Sequence, residues 1–332
     1  MGRTRPKAGV RSKPAVKGQA GRPMVGASQG MWTMPMGGSP YPLMLVPKGS
    51  DPTDAQTRFS GAVMVALVLV SYLVVTLLVN TGVVYVGFLV ESPGTGWSQY
   101  FEDAASFATP WGVLGAHLGL AGLILVVWGF FRFVHRRQLG WLWSVSPGVR
   151  WRYGVLCLVA ALIIIAAVAC WHAWGGPGWQ PAAGWGWYAL VIVLATPFQA
   201  LGEEVLFRGY LMQALGAVFR QVWFPIVGSA LIFALFHGTQ NPWLFGSRLA
   251  FGLLAGVLVW RTGGLEAGVA IHIANNLCAF ALALSDGSIS SLRTTTAVDW
   301  SQALLDVGMF AGCALACWGI AVGLRVPVKV RD

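Results

Sequence analysis

Charged residues are scarce in this chain, and their scarcity excludes most classes of soluble protein. Only 10% of its 332 residues are Asp, Glu, Lys or Arg, whereas 56% are hydrophobic and the mean hydropathy is +0.65. Soluble domains carry about 25% charged residues. We therefore expect a protein that crosses a lipid bilayer several times.

Paired cysteines are also missing. No two of the five cysteines form a CxxC motif, and all lie in apolar runs: Cys157, Cys170, Cys278, Cys313 and Cys317. A disulfide framework or a thiolate zinc site is therefore not expected. Because free cysteine is commonly buried, we interpret these residues as small apolar side chains of the bundle.

Acidic residues are absent from the first fifty positions, where Lys, Arg, Gly and Pro dominate. The lack of periodicity predicts a disordered basic leader over residues 1–58. The net charge of +10 would suit nucleic-acid binding. However, basic residues beside a first membrane span more often record membrane topology. We expect no nucleic-acid partner.

Eight apolar stretches follow, each near the ~20 residues that a helix needs to cross a bilayer. Their predicted limits are 61–85, 111–134, 153–173, 187–207, 222–240, 246–261, 265–285 and 303–324. The sequence thus predicts an all-α, polytopic membrane helix bundle over residues 59–325. Residues 185–285 form the core that carries the polar motifs, and 326–332 form a short basic cytosolic tail.

Basic residues alternate between the predicted connections. The leader, the 132–152 connection and the tail are rich in Lys and Arg, whereas 91–110 has no basic residue and 174–186 has no charge. Cytoplasmic loops carry the excess of basic residues in membrane proteins. We therefore expect both termini to lie in the cytoplasm. The membrane is expected to be the inner membrane of a bacterial cell.

Two adjacent glutamates interrupt the fourth apolar stretch. Glu203 and Glu204 are the only carboxylates between Asp103 and Glu266. An ionised carboxylate in the bilayer core costs about 2.5–3.5 kcal/mol, so such residues usually face a polar cavity. On a helix Glu204 and Arg208 share a face and would form an ion pair. Such a pair linking two helices would explain Glu204 but not its neighbour, so Glu203 is a candidate general base.

Two later apolar stretches each contain one histidine, His237 and His272. His272 and Asn276 are four residues apart and share one helix face. Both can donate a hydrogen bond, as an oxyanion hole requires. A lone histidine in a span more often links helices, but two of them together with paired glutamates favour catalysis. The remaining histidines, His117, His135 and His172, are interpreted as structural.

The depths of these residues do not match at first sight. At about 1.5 Å per residue, Glu203 lies near the inner side, while His237 lies far into the fifth stretch. The two can meet only if that helix tilts or begins outside the lipid, for example with Pro225 in its first turn.

Three motifs occur in order on separate stretches: EExxxR at Glu203–Arg208, FxxxH at Phe233–His237 and HxxxN at His272–Asn276. This arrangement is similar to that of the CPBP intramembrane proteases, the family of CAAX prenyl endopeptidases and bacterial Abi-like relatives. The resemblance covers about residues 185–285.

The resemblance implies a hydrolase with six site residues: Glu203, Glu204, Arg208, His237, His272 and Asn276. By it, Glu203 and His237 would activate a water molecule for attack on a peptide bond. His272 and Asn276 would stabilise the tetrahedral oxyanion, and Arg208 would order Glu204.

Metal dependence stays open at this point. Glu203, His237 and His272 are a plausible zinc-binding set. The HExxH motif is absent, however, and a glutamate and a histidine can also activate water directly. We favour the mechanism of glutamate type without a cofactor, with zinc as the alternative.

We therefore expect an intramembrane endopeptidase that cleaves a membrane-anchored protein or peptide, in a polar cavity that opens to the cytoplasm. Two alternatives remain. A proton-coupled transporter would use the same groups as a relay and should show inverted repeats, of which the sequence has no convincing example. A non-catalytic scaffold of the same fold would tolerate loss of His272 or Asn276.

Overall fold

The computed structural model describes residues 1–2, 33–50, 55–174, 178–181 and 183–332. Within these ranges the chain is helical, and its only β-pairs are two isolated bridges. The α-helices are α1 Ala55–Glu91, α2 Trp97–Ala105, α3 Pro110–Ala121, α4 Leu123–Gly129, α5 Gly140–Trp143, α6 Trp151–Ala173, α7 Trp185–Glu204, α8 Met212–Phe219, α9 Trp223–Leu235, α10 Pro242–Thr262, α11 Glu266–Ser285, α12 Ile289–Thr294 and α13 Trp300–Gly323. Two π-helical segments, Phe130–Val134 and Val205–Leu211, continue α4 and α7.

Seven helical segments among the described residues are long and apolar enough to cross a membrane: Arg58–Glu91, Pro110–Val134, Trp151–Trp171, Trp185–Phe219, Pro242–Thr262, Glu266–Ser285 and Trp300–Gly323. The protein is a multi-pass integral membrane bundle, and the predicted all-α class is confirmed. The predicted fifth span, 222–240, contains only the 13 residues of α9. At 1.5 Å per residue α9 is about 20 Å long, shorter than the ~30 Å hydrocarbon layer.

The fourth predicted span continues well past its expected end at residue 207. α7, the π-helical segment Val205–Leu211 and α8 form one helix from Trp185 to Phe219. The extension exists because residues 205–214 are buried against neighbouring helices rather than ending at the membrane surface. π-helical turns are frequent at functional sites, and this one begins directly after the two glutamates.

The long helix removes the apparent mismatch in depth. Glu203 lies roughly 24 Å before Phe219, at 1.5 Å per residue. The chain reverses direction over 220–222, and α9 runs back antiparallel to the long helix. By the same count, His237 lies about 21 Å beyond Trp223. By this count the two residues reach similar depths, because the preceding helix is longer than the sequence suggested, and Pro225 lies in the first turn of α9 as expected.

The bundle has two ends with different composition. The terminal end holds residues 33–50 and the C-terminal residues: Pro40 forms a bridge with Lys329, and Arg150 binds Glu266 and the carbonyl of Pro327. We call the opposite end the distal end. It is made of the connections 92–109, 178–181, 183–184, 236–241 and 286–299. Two of these connections are joined by a hydrogen bond from the backbone N–H of Asn241 to the carbonyl of Thr296 at 2.7 Å.

Part of the predicted disordered leader is ordered. Residues 33–50 lie against the terminal end, and residues 55–58 already belong to α1. Tyr41 is fully buried and its hydroxyl donates to the carbonyl of Leu142. Met44 and Leu45 are buried beside it. Burial of this apolar run gives a basic, glycine-rich leader a fixed anchor point. The rest of the leader, 3–32, lies outside the described residues.

Glycines set the helix spacing around the two glutamates. A Cβ atom added at Gly202 would lie 2.2 Å from the carbonyl oxygen of Leu120, so α7 touches the backbone of α3 one residue before Glu203. Gly252 and Gly256 form a GxxxG motif on α10. An added Cβ there would come within 2.9 Å of Ala230 and 3.1 Å of Ile226 on α9. This motif therefore brings α9 and α10 into close contact.

Candidate active site

A cavity of about 650 Å³ lies inside the bundle and collects most of the predicted site. Glu203, His237, His272 and Asn276 line it, from three separate helical regions of the chain. The remaining predicted residues, Glu204 and Arg208, are completely buried behind its wall. Three motifs that are far apart in sequence therefore meet at one place.

His272 connects the two glutamates. Its Nδ1 atom lies 2.8 Å from Oε1 of Glu204, and its Nε2 atom lies 3.4 Å from Oε2 of Glu203. Consecutive residues on a helix point about 100° apart, and the imidazole ring on α11 is wide enough to reach both carboxylates. A doubly protonated ring donates to both of them, whereas a neutral ring donates to only one.

Glu204 and Arg208 form the ion pair expected from their spacing. Nη1 of Arg208 lies 2.7 Å from Oε1 of Glu204, and both side chains are fully buried. The guanidinium carbon also lies 4.1 Å from the ring centre of Phe233 and 5.2 Å from that of Phe251. Aromatic faces attract a cation, most strongly where water is excluded. The pair thus holds Glu204, and through it His272, in a defined position.

Gln199 is a site residue that the sequence analysis missed. Its Nε2 atom donates to Oε2 of Glu203 at 2.6 Å, and its Oε1 atom accepts from Nδ2 of Asn276 at 2.7 Å. Gln199 therefore joins the acid on α7 to the amide on α11. The available signal was a polar residue one helical turn before Glu203 in an otherwise apolar stretch.

His237 lies just after the end of α9, with its ring exposed to the cavity. Its Nδ1 atom is 2.8 Å from the carbonyl oxygen of Phe233. A carbonyl oxygen only accepts hydrogen bonds, so Nδ1 carries the proton and Nε2 of a neutral ring is an acceptor. The rings of the two residues are 4.6 Å apart. Phe233 thus holds His237 by its backbone and its ring, which explains the FxxxH spacing.

The other histidines differ from one another. His117, interpreted from the sequence as structural, is buried in the cavity wall, and its Nδ1 atom lacks a partner among the described residues. His135 lies away from the cavity, at 2.9 Å from the hydroxyl of Tyr210. Burial and the nearby charge of Arg137 lower the pKa of His135 to about 4, so it is neutral at pH 7. The side chain of His172 lies outside the described residues.

The residues named as the zinc alternative, Glu203, His237 and His272, all line the cavity. In the described part of the chain no group of three or more His, Cys, Asp or Glu side chains is arranged to hold a metal ion. Both ring nitrogens of His272 face carboxylates, and Nδ1 of His237 is held by a backbone carbonyl. The expected absence of a cofactor and the zinc alternative therefore both stay predictions.

The cavity opens toward the distal end and toward the lipid. Thr239, Arg293 and Thr296 line its distal side. A neighbouring groove of about 760 Å³ runs between α1 and α9 and shares Tyr72 and Phe236 with it. No residue of the terminal end, as far as it is described, lines either space. A cytoplasmic opening and cytoplasmic termini are therefore incompatible, and the expectation that combined them was wrong.

Comparison with known proteins finds a family similarity over the segment that carries these residues. Residues 184–278 match the sequence model of the family described as "Type II CAAX prenyl endopeptidase Rce1-like". This segment is similar to that family. It contains all six predicted site residues, and the family resemblance inferred from the three motifs is confirmed.

One relative matches about half of the chain. "Uncharacterized protein YyaK" of Bacillus subtilis (strain 168) is 27% identical over 186 residues, which is 51% of this chain and 62% of the relative. The chain thus spans less than two thirds of that relative's length. No solved structure matches the chain significantly.

The buried ion pair leads to a stability prediction. Arg208→Met would leave Glu204 buried without its cation, and breaking one partner of such a pair costs about 3–5 kcal/mol. We expect a clearly lower melting temperature in detergent micelles. The double variant Arg208→Met/Glu204→Gln should recover part of the loss, because no unpaired charge remains.

Arg261→Met provides the control, because Arg261 is exposed at the end of α10. Its melting temperature should stay at the wild-type value. A double variant no more stable than Arg208→Met would show that charge pairing does not hold this part of the site.

Proposed function

We propose that the chain is an intramembrane endopeptidase that hydrolyses a peptide bond near or within the membrane anchor of its substrate. The observation that carries the proposal is the meeting of Glu203, His237, His272 and Asn276 in one cavity inside an apolar bundle. The similarity of residues 184–278 to the Rce1-like family supports the same class of reaction.

Water activation is assigned to Glu203 and His237. Gln199 and His272 hold Oε2 of Glu203, whereas Oε1 has no hydrogen-bond partner in the described part of the chain. Nε2 of His237 is a second hydrogen-bond acceptor that faces the same cavity. An acceptor within reach of a water molecule can take its proton as the oxygen attacks the peptide carbonyl. The same proton then passes to the amine nitrogen as the C–N bond breaks.

Oxyanion stabilisation is assigned to Asn276 and His272. Nδ2 of Asn276 carries two protons and gives one to Gln199, so the second is available to the substrate. The contact from Nε2 of His272 to Glu203 is long at 3.4 Å. Once Glu203 has taken the proton of the water it is neutral, so a carbonyl oxygen that becomes negatively charged is then the stronger acceptor for the proton on Nε2 of His272. Glu204 and Arg208 act as positioning residues for His272, and no metal ion is required in this scheme.

The proposed substrate is anchored in the membrane, because the groove between α1 and α9 gives it a lateral path. Leu73 and Leu77 on α1 and Leu235 on α9 line this groove with side chains that are more than half exposed on the bundle surface. A hydrophobic anchor can lie against them in the lipid while its adjoining peptide reaches Glu203. The proposal names no lipid modification of the anchor.

The termini are proposed to lie in the cytoplasm. The terminal end carries Arg136, Arg137, Arg220 and Lys329 in addition to the basic leader. The distal connections hold a single basic residue, Arg293. The excess of basic residues marks the cytoplasmic side. The cavity then opens toward the extracytoplasmic side and the adjacent lipid, and cleavage would occur there.

The peptidase assignment is tested by Glu203→Gln, which removes the proposed base while keeping the size of the side chain. Mass spectrometry of membrane-protein termini should find cleavage products in cells with the wild-type chain and none with Glu203→Gln. Glu102→Gln, at an exposed carboxylate of α2, should cleave as the wild type does. Identical termini in all three strains would sink the peptidase and favour a transporter or a scaffold.

The oxyanion role predicts a graded effect for two neighbouring amides. Asn276→Ala should lower turnover of the substrate so identified by about 10²–10³, the usual cost of one oxyanion donor. Asn275 donates to Oδ1 of Asn276 at 3.1 Å and only supports it. Asn275→Ala should therefore lose much less activity. Both variants are compared by single-turnover cleavage of that substrate. Equal losses, or full activity of Asn276→Ala, would remove Asn276 from this role.

The orientation predicts which end of the bundle reagents outside the cell can reach. Ser290→Cys places a thiol at an exposed distal position, and Lys329→Cys places one at an exposed position of the terminal end. A membrane-impermeant maleimide added to intact cells should label Ser290→Cys above the wild-type background and leave Lys329→Cys unlabelled until lysis. The opposite pattern would reverse the orientation.

A further inference from the structure

Two arginines outside the three motifs line the same cavity as Glu203. Arg248 lies in the second turn of α10, and Arg293 lies in α12 at the distal end. Neither forms an ion pair with any described carboxylate, whereas the third arginine of the region, Arg208, is paired with Glu204. The cavity therefore has an unneutralised basic side in addition to its acidic floor.

Arg248 is the deeper of the two. Its Nη1 atom is buried and has no hydrogen-bond partner among the described residues. Glu203 is near enough to interact electrostatically with Arg248, but its hydrogen bond and its ion-pair contact go to Gln199 and His272. A buried guanidinium N–H without an acceptor is costly. A ligand that brings its own negative charge would remove that cost.

Arg293 lies where the cavity and the lateral groove meet, because it lines both. It is exposed, and its guanidinium carbon lies 5.8 Å from the ring centre of Phe107. A peptide that enters from the groove and crosses Glu203 would thus pass between the two arginines. Guanidinium groups match a carboxylate in charge and planar geometry, and can bind it by two parallel hydrogen bonds.

We propose that Arg248 and Arg293 form a subsite that binds a carboxylate of the peptide substrate. The subsite rests on the proposed endopeptidase function and adds a specificity to it. The enzyme would select peptides with a negative charge on the distal side of the scissile bond. That carboxylate comes either from a free C terminus or from an Asp or Glu side chain. Amidation of the C terminus removes the first kind of carboxylate and leaves the second.

The test measures binding of three short peptides to the purified full chain in uncharged detergent micelles at pH 7. Acetyl-Leu-Leu-Leu has a free terminal carboxylate, its C-terminal amide has none, and acetyl-Leu-Glu-Leu-amide has only a side-chain carboxylate. A charge-assisted hydrogen bond is worth enough to change affinity by about tenfold or more. We expect at least one carboxylate peptide to bind that much more tightly than the uncharged amide, and the tighter one identifies the source.

Substitution of the arginines should remove this preference. Arg248→Gln and Arg293→Gln are each expected to bring the carboxylate peptides close to the affinity of the uncharged amide. Arg261→Gln, outside the cavity on the terminal end, should keep the wild-type preference. Because Arg293 is exposed, its variant gives a valid result even if Arg248→Gln does not fold, which the melting temperature reports.

Equal affinity of the wild-type chain for all three peptides would overturn the subsite, as would a preference that survives both substitutions. Binding needs no cleavage, so this outcome would leave the endopeptidase proposal standing. Conversely, the Glu203→Gln experiment could find no cleavage by the wild-type chain. The carboxylate preference measured by binding would then be unchanged.

Discussion

The bridge that His272 makes between Glu203 and Glu204 is the interaction on which the rest of the site depends. Two neighbouring carboxylates inside an apolar bundle repel each other and lose their hydration. The imidazole ring, at 3.4 Å from Glu203 and 2.8 Å from Glu204, contacts both. Arg208 supplies a full positive charge on the far side of Glu204. Together these contacts allow charged groups to remain buried where lipid surrounds the bundle.

The network also divides the work between the two acids. Glu204 is enclosed by Arg208 and His272, so its role is to hold the histidine. Glu203 is fixed through one oxygen by Gln199 and keeps the other toward the cavity. Phe233 connects this arrangement to His237, since its ring lies against Arg208 and its carbonyl accepts from the histidine. One aromatic residue thus couples the buried ion pair to the exposed imidazole.

Access to the site follows from the unequal lengths of its helices. The helix from Trp185 to Phe219 is long, whereas α9 covers only 13 residues and stops inside the bundle. The chain after α9 therefore forms the wall of the cavity at the depth of the acids, and a groove remains beside α1. This geometry places the basic residues Arg248 and Arg293 at the distal side of the cavity, opposite the basic connections of the terminal end.

The sequence by itself determined the features that depend on local spacing. Hydropathy was sufficient for the all-α membrane class, and the four-residue separation of Glu204 and Arg208 was sufficient for their ion pair, because a helix places such residues on one face. The ordered motifs also identified the family resemblance. Only the tertiary structure decided the helix lengths around residue 219, the order in residues 33–50, and the side on which the cavity opens. His117, Arg248 and Arg293 joined the site through packing between helices distant in sequence, and no periodicity within one helix records its rotation and depth relative to another.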